Sequence, residues 1–431
     1  MKRFLLIGCV SCCLSMQAQW TLDECQALAR DNYPLIKQHG LIALTADYSI
    51  ANATKAYLPQ VSLSAQATYQ SDVANFPNQM LKLYEQIGLE MKGLNKDQYR
   101  MAVEVNQNIW DGGLTRARKE ALQAESAVSA QSLETELYNV RERINRLFFG
   151  ILILNEQLRQ NQILQELLQS NYSTVDAYIQ NGVATPSDLY AIKAEQLTVA
   201  QQRIQIESVA KSYRQLLSVM TGRQMDDAAM FVKPKFLTIR SDVANQPINR
   251  PEWQLFDAQI KLLETQKQSI NASTMPRLGL FAQGFYGNPG LNLFKDMTEG
   301  KWTWNYIAGI RFQWTLGSFY TKKGDLRKLT LAQQQVDNRR ETFQFNTVLQ
   351  QIQYQHEVDK MLKMMIDDDE IIRLRTSIRQ SAEAKFANGS ITVSELLKDI
   401  SAENRASLDK SLHELDRLKN LYEIFYVMNY E

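Results

Sequence analysis

The chain has 431 residues, 45% of them hydrophobic and 22% charged, with a formal net charge of +1. That balance argues against a dedicated polyanion-binding surface and against a charged disordered tail. The longest uninterrupted apolar run, Leu147 to Leu154, is eight residues, far short of the ~20 that a membrane-spanning helix needs.

The N-terminus reads MKRFLLIGCVSCCLSMQAQW. Lys2 and Arg3, a short apolar stretch and small residues ending near Ala18 follow the pattern of a secretory signal peptide over 1–18. Leu6-Ile7-Gly8-Cys9 also resembles a lipobox, so lipidation at Cys9 is the other reading of this segment. Three of the four cysteines lie here, and a chain cleaved after Ala18 keeps only Cys25, with no internal disulfide.

A helical stretch with Asn32-Tyr33-Pro34-Leu35 comes next, and then Pro59. From about 59 to 70, Val61, Leu63, Ala65, Ala67 and Tyr69 alternate with Ser62, Ser64, Gln66, Thr68 and Gln70. Period two predicts a strand with one apolar and one polar face. A second such strand is expected at about 100–110, where Met101, Val103 and Val105 alternate with Ala102, Glu104 and Asn106. The 71–99 stretch between them is a long loop whose LKLYEQIGLEMKGL portion suggests a short helix.

After the Trp110-Asp111-Gly112-Gly113 turn the period changes. Leu137, Val140, Ile144, Leu147, Ile151, Leu154 and Leu158 step by three and four, the spacing of a coiled-coil seam. A helical pattern from Leu114 to Gln180 would extend on the order of 100 Å. It ends at YIQNGVATPSDLY, residues 178–190, where the chain turns back, giving a helical hairpin over 113–222 and a connecting segment over 223–246.

The plan is then repeated from 247 to 431. Asn249-Arg250-Pro251-Glu252 echoes the first proline motif, and Pro276 follows Pro251 by 25 residues, as Pro59 follows Pro34. Strands are expected at about 277–287 and 302–315, separated by a 288–301 loop. In the later strand Trp304, Tyr306, Ala308, Ile310, Phe312 and Trp314 alternate with Asn305, Gly309, Arg311 and Gln313; Ile307 breaks the pattern and leaves the register open by one residue. Leu316-Gly317-Ser318 marks the turn into a second hairpin over 319–426, whose tip, KFANGSITVSELL at 385–397, copies the first. The fold class is therefore mainly α with a β part, built as a twofold repeat of strand, strand and long helical hairpin.

Four two-faced strands admit two architectures. One is a small antiparallel sheet capping a soluble helical bundle. The other is a transmembrane β-barrel, which four strands cannot close alone because an open edge in lipid leaves backbone groups unpaired. Trp110, Trp302, Trp304 and Trp314, four of the six tryptophans, lie in or beside strands, where interfacial girdles fall.

The ordered set of TLDECQALARDNYPL, YLPQVSLSA, the WDGG turn and the paired NG turns resembles the outer membrane efflux proteins of the TolC type, across essentially the whole mature chain. The resemblance implies a homotrimer in the bacterial outer membrane. Each chain would give four strands to one twelve-stranded transmembrane β-barrel, continued by a periplasmic α-helical tunnel. It also implies a passive exit duct that docks with a periplasmic adaptor (membrane fusion) protein and an inner-membrane transporter of RND or ABC type. On it, 223–246 would be an equatorial segment, and the cargo would be small molecules such as drugs. The exit duct of a type I protein secretion system is the alternative within transport, and a periplasmic coiled-coil adaptor or scaffold the alternative outside it.

By the same resemblance the NG turns would be hairpin tips at the tunnel mouth. Asp188 and Glu395 would each form a constricting ring of three, and Gly182, Val183, Ala184, Gly389, Ser390 and Ile391 would contact the adaptor. Thr185 to Asp188 and Thr392 to Glu395 are equally capping-box spacings, which need no gating role. Where the family commonly has a further acid this chain has Lys398, and Asp399 beside it would face about 100° away on a helix. The run Asp367-Asp368-Asp369-Glu370 reads as a solvated helix face rather than a cation site. His39, His356 and His413 are isolated, with no metal-ligand spacing, phosphate-binding loop or nucleophile motif. No enzyme and no cofactor is expected, so energy must come from a partner.

Overall fold

The computed structural model describes residues 19–88, 93–181, 184–227, 229–235 and 248–429. The 1–18 segment with Cys9, part of 223–246, and the tip residues Gly182 and Val183 lie outside them. The first half of the chain contains β1 (Gln19–Trp20), α1 (Leu22–Asn32), α2 (Gln38–Thr54), β2 (Gln60–Tyr69), α3 (Asn78–Gln86) and β3 (Asp97–Trp110). It continues with α4 (Leu114–Gln180), α5 (Pro186–Thr221) and β4 (Met230–Phe231). The second contains α6 (Pro251–Ser273), β5 (Arg277–Asn288), α7 (Leu293–Glu299), β6 (Thr303–Gln313), α8 (Ser318–Ala387) and α9 (Val393–Met428). Helix α7 falls inside the stretch read from sequence as a plain loop; Asn292 caps it by accepting from the Lys295 N–H.

The chain divides into two compact units, and both halves of the sequence contribute to each. One unit, His39–Gln131 with Leu255–Arg339, holds the sheet. Its four strands are antiparallel in the order β2-β3-β5-β6. The register resolves the ambiguity left at Ile307. One rung runs Leu63, Val103, Gly284, Tyr306, and the next Ser62, Glu104, Gln283, Ile307. Tyr306 therefore shares a face with Leu63 and Val103, and Ile307 is an apolar residue on the polar face.

The other unit, Met1–Gln38 with Ser132–Gln254 and Arg340–Glu431, is helical apart from the short parallel pair β1–β4. Its largest core joins Leu22, Cys25 and Ala29 of α1 to Val140, Ile144, Phe148, Phe149 and Ile151 of α4. Leu217 of α5 and Leu415 and Leu418 of α9 complete it. The expected seam is only partly right: Leu147 is half-buried, while Phe148 and Phe149 are wholly buried. Neighbouring residues stand about 100° apart on a helix. Burying both requires partners on more than one side of α4, and α1, α5 and α9 supply them. Burial, with Glu24 nearby, pushes the Cys25 thiol up to about 12, so it packs as an inert apolar group.

Candidate functional site

Two regions carry the features from which function can be argued: the hairpin ends and the sheet. At the first end, Asn181 closes α4 by donating its N–H to the Ala177 carbonyl at 3.2 Å. Thr185 precedes α5, whose first residue is Pro186. The Asp188 carboxylate accepts from the Thr185 N–H at 2.9 Å and from its hydroxyl at 2.7 Å. At the second end Gly389 has φ +68°, the left-handed conformation that terminates a helix. The Ser390 N–H then reaches the Lys385 carbonyl at 2.9 Å. Glu395 accepts from the Thr392 N–H at 2.9 Å, and Thr392 Oγ1 accepts from the Glu395 N–H at 3.2 Å. Both acids are thus engaged in capping boxes.

The two ends belong together. Val175 of α4, Ile192 of α5 and Val393 of α9 form one buried cluster, with Ala184 and Phe386 packed on it. Ile391 packs on the adjoining cluster of Leu164, Leu168, Val199, Leu396 and Ile400. Of the described tip residues, Gly389 and Ser390 are exposed, whereas Ala184 and Ile391 are half-buried. Glu395, Lys398 and Asp399 line one groove between α8 and α9, with Ser377, Ser381 and Lys385 also around it. Adjacent on α9, Lys398 and Asp399 still stand about 100° apart, yet both reach this groove.

The acidic run on α8 is not a uniformly solvated face. Asp368 is buried and lies 2.9 Å from Nδ1 of His413 on α9, so His413 is not isolated either. Asp369 pairs with Lys410, and Glu370 with Arg373 at 2.6 Å. Their partners come from the facing helix or the next turn, which no run of like charges reveals. Among the described residues no group of three or more His, Cys, Asp or Glu is placed to hold a metal ion.

The sheet has two chemically distinct faces. Val61, Leu63, Met101, Val103, Leu280, Tyr286, Trp304, Tyr306, Ile310 and Phe312 stand exposed on one, with Tyr306 at 82% and Trp304 at 78%. The other carries Gln60, Ser62, Ser64, Gln66, Arg100, Glu104, Asn106, Gln283, Asn305 and Arg311 in the alternate register. Among the described residues neither β2 nor β6 has a strand on its outer side, so both edges are open. No described helix is long and apolar enough to cross a membrane.

The turn from β3 into α4 is held by Asp111. Its carboxylate accepts from Tyr57 Oη at 2.8 Å, the Gly113 N–H at 3.0 Å and the Thr115 N–H at 2.7 Å. Burial alone would raise its pKa, but the hydrogen bonds from Thr115, Tyr57 and Gly113 outweigh that and hold it below the usual value. Gly112 is required there: at φ +70° a Cβ would lie 2.4 Å from the Cβ of Met275.

Helix α5 carries a second unpartnered feature. Tyr190, Leu197 and Ile204 repeat every seven residues and are exposed. Ile192 and Val199, two residues after the first two of them, are buried. Two residues turn a helix by about 200°, so α5 is apolar on opposite sides, and among the described residues one of them is covered and the other exposed.

The sequence matches no family model and no curated protein. Solved structures do match. The outer membrane protein VceC of Vibrio cholerae has a TM-score of 0.68 at 13% identity, over 94% of this chain and 95% of that one. The Campylobacter jejuni CmeC outer membrane channel has 0.65 at 13% identity, over 94% and 85%. The open-state MtrE outer membrane channel of Neisseria gonorrhoeae has 0.60 at 14% identity, over 94% and 88%.

Proposed function

Because the chain has the fold of the TolC-type outer-membrane efflux channels, we propose that it is an outer-membrane exit duct. Three copies pool their sheets into one twelve-stranded barrel, and their helices continue as a periplasmic tunnel. The observation that carries this reading is the sheet: apolar on one face, polar on the other, and open at both edges. In lipid an unpaired strand edge costs several kcal/mol per group, roughly. Joining β6 of one copy to β2 of the next removes every edge. The exposed stripe on α5 adds an apolar surface for the neighbouring copy to cover.

In this assembly Asp188 and Glu395 become two rings of three acids at the tunnel mouth. Both capping boxes hold their carboxylates against backbone, so an opening motion swings each acid with its helix rather than freely. Gly182, Val183, Ala184, Gly389, Ser390 and Ile391 form the end offered to a periplasmic adaptor. That adaptor would couple the duct to an inner-membrane transporter, which supplies the energy. The cargo proposed is small molecules.

Light scattering on protein extracted from outer membranes in mild detergent tests the assembly. Three copies of the 49.5 kDa chain, less any leader, are expected. A soluble monomer or dimer would remove the barrel. For the cargo, cells lacking the protein should become sensitive to dyes and detergents while their secreted proteins are unchanged.

A further inference from the structure

The polar face of the sheet is not evenly polar. Arg100, Arg277 and Arg311 stand on it, with Glu104 as the one acid in the same alternate register, a surplus of two positive charges. The three arginines are staggered along β5: Arg277 at its start, Arg311 opposite Gly279 and Arg100 opposite Gly287. From residue 277 to residue 287 that is roughly 33 Å of strand.

Two of these arginines sit in the same local arrangement. Arg311 faces Gly279 across the ladder and lies over the ring of Phe281, two residues along, at 4.7 Å. Arg100 faces Gly287 and lies over the ring of Phe285, two residues back, at 3.8 Å. In each case the glycine leaves room and the diagonal phenylalanine supplies a platform. A Cβ at Gly287 would lie 2.4 Å from the Tyr99 carbonyl oxygen and 3.0 Å from the Arg100 Cα. Gln283 fixes Arg100 further by accepting its Nη2–H at 2.8 Å. Asn106 accepts from Arg311 at 3.2 Å, and Glu104 is 3.6 Å away, so this one charge is partly offset. Arg100 and Arg277 have no carboxylate within ion-pair distance among the described residues. Stacking on an aromatic ring holds a guanidinium flat against the wall without neutralising it, and leaves its charge facing the space beyond.

We infer that this arginine-bearing face is a selectivity surface that favours anionic cargo over cationic cargo. The inference rests on the duct reading, in which the polar face lines the pore and three copies carry a surplus of six positive charges. Charge of one sign along low-dielectric walls focuses potential and concentrates the opposite ion. A purely structural role for the stacked arginines would predict no such effect.

The test is reversal potential in planar bilayers across a potassium chloride gradient, for the wild-type trimer and for the combined R100Q, R277Q and R311Q variant. The chloride-to-potassium permeability ratio should fall roughly two-fold or more in the variant. R277Q alone leaves both ring platforms intact and should move the ratio the same way by less. It keeps the test decisive if the combined variant does not assemble. In the wild type the ratio should also drift towards that of free solution at about 1 M salt, where screening shortens to ~3 Å. An unchanged ratio in a conducting variant overturns the inference and leaves the duct standing. A wild-type protein that forms no membrane-inserted trimer overturns the duct itself.

Discussion

In the helical unit Leu137, Ile144, Phe148 and Ile151 are buried, and pairs such as Arg405–Asp409 stand in the open. In the sheet Trp304, Tyr306, Ile310 and Phe312 stand in the open, while Phe285, beneath Arg100, and its ladder partner Ala102 are buried on the face that carries the charges. Apolar side chains of the same types are thus covered in that helical core and uncovered on one face of the sheet. The core is completed within the chain, whereas the apolar face of the sheet is not, and on the proposed reading lipid covers it. Substitutions test that contrast.

The largest effect is expected in the helical core. Phe148→Ala should cost about 3–5 kcal/mol, because surrounding side chains only partly refill the space. It would be read as a lower denaturant midpoint. On the sheet the equivalent truncation, Ile310→Ala, should barely move that midpoint, since Ile310 is 70% exposed within the chain. If both variants lose stability equally, the contrast fails.

A charge test follows. Ile310→Arg puts a cation on the apolar face and should cost roughly 2–4 kcal/mol if that face meets the bilayer centre. The fraction recovered as assembled trimer should fall. Gln66→Arg, on the polar face, should assemble normally. Equal assembly of the two would show that the faces do not differ in surroundings.

Within the helical unit a buried charge should be penalised, and Glu423 on α9 offers the case. It is 6% exposed; burial, then Glu142, pushes its carboxyl up from 4.5 to about 7, against the pull of Lys419 and Arg146. Below about pH 4.5 both folded and unfolded chains hold the proton, and burial costs nothing. Between there and about 7 only the folded chain holds it, so stability falls as pH rises. Above about 7 the loss is complete. Glu423→Gln should flatten this window, with a gain on the order of 3 kcal/mol over the wild type at pH 8 relative to pH 4. Parallel pH profiles for the two proteins would contradict it.

The smallest effect belongs to the caps. Thr392→Ala should cost about 1 kcal/mol of helix stability. Glu395→Gln keeps a side-chain acceptor at N3 and should cost less, while still removing the charge. If Glu395→Gln alters conductance without lowering the melting temperature, the acid acts at the mouth; a change in melting temperature alone leaves it as a cap.

Much was legible from the chain itself. Period two between Val61 and Tyr69 and between Trp304 and Phe312 marked two-faced strands, because side chains in a strand must alternate. Threonine with an acid three residues on marked both helix starts, because the first turn of a helix has free N–H groups. Other features were hidden because their partners are remote in sequence. Asp368 meets His413 across 45 residues, and Arg100 meets Phe285 across a strand from the other repeat. The full burial of both Phe148 and Phe149 depends on what α1, α5 and α9 place around α4.

The four strands, the long helices and their caps could be read along the chain, since periodicity and local hydrogen bonding are properties of nearby residues. It took the folded chain to show that Ile307 belongs to the polar face, that the acidic run is partly buried, and that three arginines share one face of the sheet. Register and packing set those outcomes, and both depend on residues far apart along the chain.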